Sequence, residues 1–326
     1  MDLIENYAEE LKFLRKPGEK FWAATLILAV FLLPFYAPEH IVYVASLIAI
    51  YSIGVMGQNL LIGYTGQISF GQAGFLCVGA FAFGHLSQAG VPWPAGILAA
   101  GIIAGIFGVL VGFPSLRLKG PYLAIVTMGF GVAVYQVFVN VPLLSGGRMG
   151  MVIERLEPVW FLSRTHVYFY LSATIAAVFA LATQNLVSSY MGRAFIAVRD
   201  NDIAAEVLGV SLTFHKLLAF GLSSFYVGIQ GALYAMILGY LEPNMFTFME
   251  TITFLVAVIV GGPAFVEGAF LGAAFVILVP HFFSDLKEFV PVIFGAAIIV
   301  ILIFEPGGLA GRWMKIRIYF KNWPFR

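Results

Sequence analysis

Between Glu39 and Arg117 the chain carries no aspartate, glutamate, lysine or arginine. Those 77 residues, 40–116, match about three membrane-crossing helices at roughly 20 residues each. Further charge-free windows run over 21–38, 120–147, 165–192, 217–241, 251–266, 268–284 and 289–304. Composition agrees, since 61% of the 326 residues are hydrophobic and 11% are charged, against about 25% charged in an average soluble domain. The windows are continuously apolar and do not alternate, which predicts an all-α polytopic bundle and not a barrel. About ten spans are expected, or eight if 251–284 forms a re-entrant hairpin, because the windows there sit at or below the minimum crossing length.

If the spans alternate, the intervening loops fall into two sets, and 14 of the 18 basic residues fall in one of them. The excess of Lys and Arg marks that set as cytoplasmic, placing both termini inside and 145–166 outside. Residues 1–20 read as a cytoplasmic amphipathic segment with Leu3, Tyr7, Leu11 and Leu14 on one helical period. Residues 21–311 form the transmembrane domain, and 312–326 a basic and aromatic tail of the kind found at a membrane interface. The charged N-terminus, with no small-residue cleavage site after the first window, predicts no removable signal peptide. Cys77 has no partner for an internal disulfide and reads as a small buried hydrophobe.

Glycines recur through 63–84, where Tyr64, Thr65, Gln67, Ser69 and Gln72 cluster at the start of an otherwise apolar stretch. Uncharged polar groups at membrane depth survive only against protein or a water-lined cavity. These five are therefore candidates for lining a translocation path, with interhelical hydrogen bonding as the open alternative. Gly101, Gly105, Gly108 and Gly112 fall on one helix face and read as a packing seam. A weak similarity between SFGQAGFLCVGAF and FVEGAFLGAAF points to an internal duplication.

The longest predicted cytoplasmic insertion is 188–216. In it Asn201 suits a helix N-cap, Asp202 the positive helix end, and Gly209 the left-handed residue after the C-terminus. The implied helix is about two turns long and needs something to rest on. Arg193, Arg199, Asp200, Asp202 and Glu206 surround it with charge, while Ile203, Val207 and Leu208 offer apolar knobs. An exposed contact from Arg199 is expected to contribute only about 0–1 kcal/mol. On composition alone a solvated loop remains open.

The order Ala204-Ala205, three residues, then Gly209 resembles the EAA loop of ABC importer permeases, with Ile203 at the family's glutamate position and Asp202 beside it. The strings GYTGQISFGQAGF, RLKGPYLAIVTMGFG, GRAFIAVRDNDIAAEVLGVSLTFHKLLAFGLSSFYVGIQGALYA, GGPAFVEGAFLGA and FEPGGLAGRW are similar, in order, to LivM-type branched-chain amino acid permeases. The resemblance implies a fold like that of the cobalamin-importer permeases and a place in the cell inner membrane. It also implies a second related permease subunit, two cytoplasmic ATPases docking on the 188–216 loop, and an extracytoplasmic binding protein delivering leucine, isoleucine or valine. A urea or short-amide importer is the alternative substrate class.

The chain has no G-x-x-x-x-G-K-[ST] phosphate loop, so any ATP is expected on partner subunits, with no cofactor or metal in this one. No catalytic residues are expected, because the histidines at 40, 85, 166, 215 and 281 form no H-E-x-x-H pair and Cys77 has no basic neighbour in sequence. No basic block suggests nucleic acid. A secondary transporter or channel is the remaining class. The carrier is disfavoured because Glu250, Glu267, Asp285, Glu288 and Glu305 are all expected near span ends, and His85 and His281 at interfaces.

Overall fold

The structure, a computed structural model, describes Thr25 and residues 30–116, 118, 120–147, 150–156, 163–283 and 288–322. The expected amphipathic segment 1–20 and the last four residues lie outside them. The described chain is helical almost throughout. Its first half comprises α1 (Glu39–Asn59), a π turn (Leu60–Tyr64), α2 (Gln72–Gln88), α3 (Trp93–Ser115), α4 (Pro121–Asn140) and the short α5 (Pro142–Ser145). Strand β1 (Met151–Val152) and α6 (Arg164–Ser188) follow, then α7 (Tyr190–Asp200) and α8 (Asp202–Val207). The second half is α9 (Leu212–Leu238), β2 (Tyr240–Leu241), a 3₁₀ turn (Pro243–Phe246), α10 (Phe248–Gly261), α11 (Val266–Phe282), α12 (Val290–Phe304) and α13 (Gly308–Asn322).

Six described stretches are long and apolar enough to cross a bilayer: Glu39–Tyr64, Trp93–Pro114, Pro121–Asn140, Arg164–Ser188, Leu212–Leu238 and Val290–Tyr319, the last joining α12 to α13. α2 and α11, at 17 residues, and α10, at 14, are shorter.

α9 is the axis of the bundle and packs on α1, α2 and α3. Glycines on those helices are what bring the backbones together. A Cβ at Gly57 of α1 would lie 2.7 Å from Tyr226 Cβ, and one at Gly79 of α2 would lie 2.5 Å from Gly228 Cα. In lipid, where apolar surface has no preference for protein over acyl chain, such close van der Waals contact drives association. Cys77 is buried in the same core.

The four glycines at 101, 105, 108 and 112 all face α9. They are not equivalent. A Cβ at Gly105 meets Gly221 O at 3.3 Å, which a small shift accommodates, whereas at Gly108 it collides with Ser224 and comes within 2.8 Å of Phe220 O, which is backbone. Overpacking of this kind costs about 1–3 kcal/mol. Gly108→Leu should therefore lower the amount of chain in the membrane well below that of Gly105→Ala, as read by quantitative immunoblot. Normal abundance of Gly108→Leu with transport alone abolished would contradict the packing role.

The order of long helix, break, short helix and two more helices occurs twice, as α1 to α4 and as α9 to α12. Gly54 and Gly57 lie opposite Gln230 and Ser223 respectively, so α1 and α9 run antiparallel and the two halves are inverted. In that repeat α2 corresponds to α10. The string similarity instead pairs α2 with α11, so it reflects small residues shared by packed helices and not the duplication.

The bundle has two distinguishable ends. At one, Met151 pairs with Leu241 and Val152 with Tyr240 in an antiparallel ladder. Arg155 Nη2 there donates to Leu238 O at 2.7 Å, satisfying the end of α9. α7 and α8 define the other end.

Candidate functional site

α1 reaches the α8 end through the π turn, and the chain then doubles back through 66–71 without helical structure before α2 begins. The turn is made at Gly66, whose φ of +67° suits glycine. Backbone groups freed by such a break must find partners inside the protein. They do, through side chains of three helices, α1, α4 and α10. Gln58 Nε2 donates to Ser69 O at 3.0 Å, Phe70 N–H to Thr127 Oγ1 at 2.9 Å and Ala73 N–H to Thr251 Oγ1 at 3.1 Å. Gln72 Nε2 donates to Ser223 Oγ at 3.2 Å and to Gln58 Oε1. Gln67 Nε2 donates to Thr65 Oγ1 at 3.0 Å, and Thr65 Oγ1 to Leu61 O at 2.8 Å.

Tyr64, Thr65, Gln67, Ser69 and Gln72 are accordingly all buried within this chain. What the segment shows outward is Gly66 and Ile68, the latter 41% exposed. Thr65, Gln67, Ser69 and Gln72 hydrogen-bond within the break or to its neighbours, and Tyr64 is buried beside them. Ile68, absent from the sequence-based candidates because it is an ordinary apolar residue, is the side chain they hold at the surface.

At the α8 end, α7 and α8 form a bent pair. Ser189 Oγ caps α7 by accepting from Met191 N–H at 3.2 Å, and Ala194, Phe195 and Val198 bury one face. Asn201 Oδ1 accepts from Ala204 N–H at 3.0 Å, starting α8. Gly209, at φ +87°, ends it, with Gly209 N–H donating to Glu206 O and Val210 N–H to Ala205 O. Lys216 Nζ lies 3.7 Å from Asp202 Oδ2, tying α8 to α9. Of the predicted loop residues, Ala205 is buried, Ala204, Glu206 and Gly209 are exposed, and Arg193 Nη1 donates to Ser188 O at 3.3 Å. Ile203 is 69% exposed, and Val207 and Leu208 are each 82% exposed. Ile203 and Val207 on this six-residue helix, with Leu208 at its C-cap, make an exposed aliphatic knob.

Arg199 joins this pair to the broken helix. Its Nη1 donates to Gly63 O at 2.9 Å and its Nε to Asp200 Oδ1 at 2.9 Å. A Cβ at Gly66 would sit 2.9 Å from Arg199 Cγ, so the segment lies directly against the arginine stem. Next to it, Asn59 Nδ2 donates to Phe265 O and Asn59 Oδ1 accepts from Ala264 N–H, both at 2.9 Å, fastening the α10–α11 turn to the end of α1. Ala264 holds φ at +64°, which a residue with a Cβ adopts only under constraint. Arg199 lies at the surface, as expected, and its guanidinium in addition bonds to a backbone carbonyl of the π turn.

Glu250 needs correction. It lies in the first turn of α10, but that turn packs beside the middle of α1 and not at its end. Its Oε1 accepts from Tyr51 at 2.6 Å, and Tyr51 lies 12 residues into α1 from Glu39, about 18 Å at 1.5 Å per residue. The reason is the second break: residues 239–247 run through the β ladder and the 3₁₀ turn before α10 starts. Among the described residues no group of three His, Cys, Asp or Glu is arranged to hold a metal.

Comparison with known proteins places this architecture. The family described as branched-chain amino acid transport system permease component matches residues 40–304, most of the chain. The chain belongs to this permease family. It is 32% identical over 316 residues to the high-affinity branched-chain amino acid transport system permease protein LivM of Escherichia coli, covering 89% of this chain and 74% of that protein. The probable LivM of Methanocaldococcus jannaschii is 25% identical over 312 residues, covering 80% and 90% respectively. The autoinducer 2 import system permease LsrC of Salmonella typhimurium is 27% identical over 285 residues, covering 81% and 78%. No solved structure matches the chain. As a member of this permease family it is an all-α, multi-pass membrane transport subunit.

Proposed function

We propose that the chain is the permease subunit of an ATP-driven ABC importer that carries leucine, isoleucine or valine into the cytoplasm. The observation that carries the coupling is the capped helix α8, which presents Ile203, Val207 and Leu208 outward and is braced through Arg199 to the break in the α1–α2 path. The apolar knob is the docking element for a cytoplasmic ATPase, which binds the ATP. The partners are two such ATPases, a second related permease and an extracytoplasmic binding protein. Ile68 and Gly66 face the path between permeases, and Tyr64, Thr65, Gln67, Ser69 and Gln72 fix its shape. The LivM relatives support the branched-chain substrate.

The test is uptake by the reconstituted complex: labelled leucine should accumulate with ATP and be displaced by isoleucine and valine. Accumulation of urea or a short amide in place of leucine would contradict the substrate assignment.

The proposed orientation places α8 and both termini in the cytoplasm of a cell whose inner membrane holds the bundle, following the basic-residue excess. On a Cys77→Ser background, cysteine at the exposed β1 position Val152 should react with an impermeant maleimide in sealed cells, and cysteine at Asn201 should not. Strong labelling at Asn201 would invert the topology.

A further inference from the structure

We propose that the cavity between α1, α10, α11 and α12 is a binding site for an ammonium group carried on an aliphatic chain, with Glu250 as its counter-charge. The cavity has a volume of about 420 Å³, within the range of about 300–1,000 Å³ typical of small-molecule sites. Val44, Leu47, Val276, Ile277 and Phe294 form apolar wall, Glu250 and Tyr51 the polar floor, and His40 and His281 line it as well.

The carboxylate is only partly satisfied. It accepts one hydrogen bond, from Tyr51, and among the described residues no lysine or arginine pairs with it. A carboxylate has about four acceptor sites and is costly at membrane depth without a positive partner. Tyr51 is itself fixed, edge-on to Tyr234 with centroids 5.9 Å apart and stacked on Phe254 at 6.2 Å, so it holds one oxygen in place and leaves the other to the cavity.

This donor set selects the ligand. A calcium-like cation takes about six to eight oxygen ligands, and the side chains lining the cavity offer only one carboxylate and the hydroxyls of Tyr43, Tyr51 and Thr253. An ammonium needs one charge partner and a few acceptors, and it gains from aromatic faces such as Tyr51 and Phe294. The apolar walls then take the aliphatic remainder. An aliphatic amino acid fits if His40 or His281 donates a ring N–H to its carboxylate. Naming such an amino acid as the ligand rests on the transport reading above. The ammonium preference does not.

The experiment uses the full chain in nanodiscs. A hydrophobic carbodiimide modifies carboxyl groups at membrane depth, and mass spectrometry of the Glu250 peptide gives the rate. Leucine and isoamylamine, which keep the ammonium, should each slow modification about tenfold at a concentration about ten times their Kd. Isocaproate, which has the same chain and a carboxylate but no ammonium, should not. The protection by isoamylamine should persist in Tyr51→Phe, which keeps the carboxylate. A Glu250 that never reacts, that reacts equally with and without the amine, or that is protected as well by isocaproate overturns the site. Transport of leucine by a complex whose Glu250 is unprotected would sink this site and leave the transport function standing. Protection without leucine transport would do the reverse.

Discussion

Replacing Gly209 by valine is expected to abolish substrate uptake while leaving the amount of chain in the membrane unchanged. Gly209 sits at φ +87° with open space around its Cα, so the obstacle is conformational and not a clash. A left-handed backbone costs a residue with a Cβ on the order of 1–2 kcal/mol, and branching at Cβ worsens the fit. α8 has only six residues and cannot hold its shape against that cost in water. The chain leaves α8 at another angle, and Val207 and Leu208 lose their positions. A shift of about 1.4 kcal/mol already changes the population of docked complex about tenfold. ATPase copurification and substrate-stimulated hydrolysis should fall together with uptake. Unchanged values for both would show that α8 is not the docking element.

Arg199→Ala should separate docking from transport. The apolar knob remains, so ATPases should still copurify, but the guanidinium bond to Gly63 O and the packing against Gly66 are gone. A charged donor bonded to a carbonyl contributes about 1.5–3 kcal/mol when buried, and less at an arginine side chain that is 34% exposed. The expected result is ATP hydrolysis retained in part with leucine uptake reduced about tenfold or more, a split read by measuring both in one preparation. Arg199→Lys keeps the charge but not the fork that reaches both Asp200 and Gly63, and should fall between. Equal losses of hydrolysis and uptake would place Arg199 in docking and not in transmission.

The helices in the apolar windows and both ends of α8 were legible because each rests on local chemistry: continuous apolar runs, an Asn201 cap and a Gly209 stop. α7 was not separated from the loop, although Ser189 and the spacing of Ala194, Phe195 and Val198 carried the signal. The break at 66–71 was legible as a polar, glycine-rich stretch. Which way its side chains turn was not, because Thr127, Ser223 and Thr251 come from three helices distant in sequence. The depth of Glu250 was hidden for the same reason. A residue at the start of a helix reads as interfacial, and only the path of 239–247 through the β ladder and the 3₁₀ turn shows that this helix starts within the bundle. The seam glycines showed periodicity but not rank, since the difference between Gly105 and Gly108 lies in what α9 puts opposite each.

The central claim, that this chain is driven by ATP through α8, is tested most directly by leucine accumulation in proteoliposomes containing the chain with its permease partner, ATPases and binding protein. Accumulation that requires ATP, ignores an imposed proton gradient and is lost in Gly209→Val at unchanged membrane abundance is the predicted result. Accumulation driven by a proton or sodium gradient without ATPases, and unaffected by Gly209→Val, would contradict it and make the chain a secondary carrier.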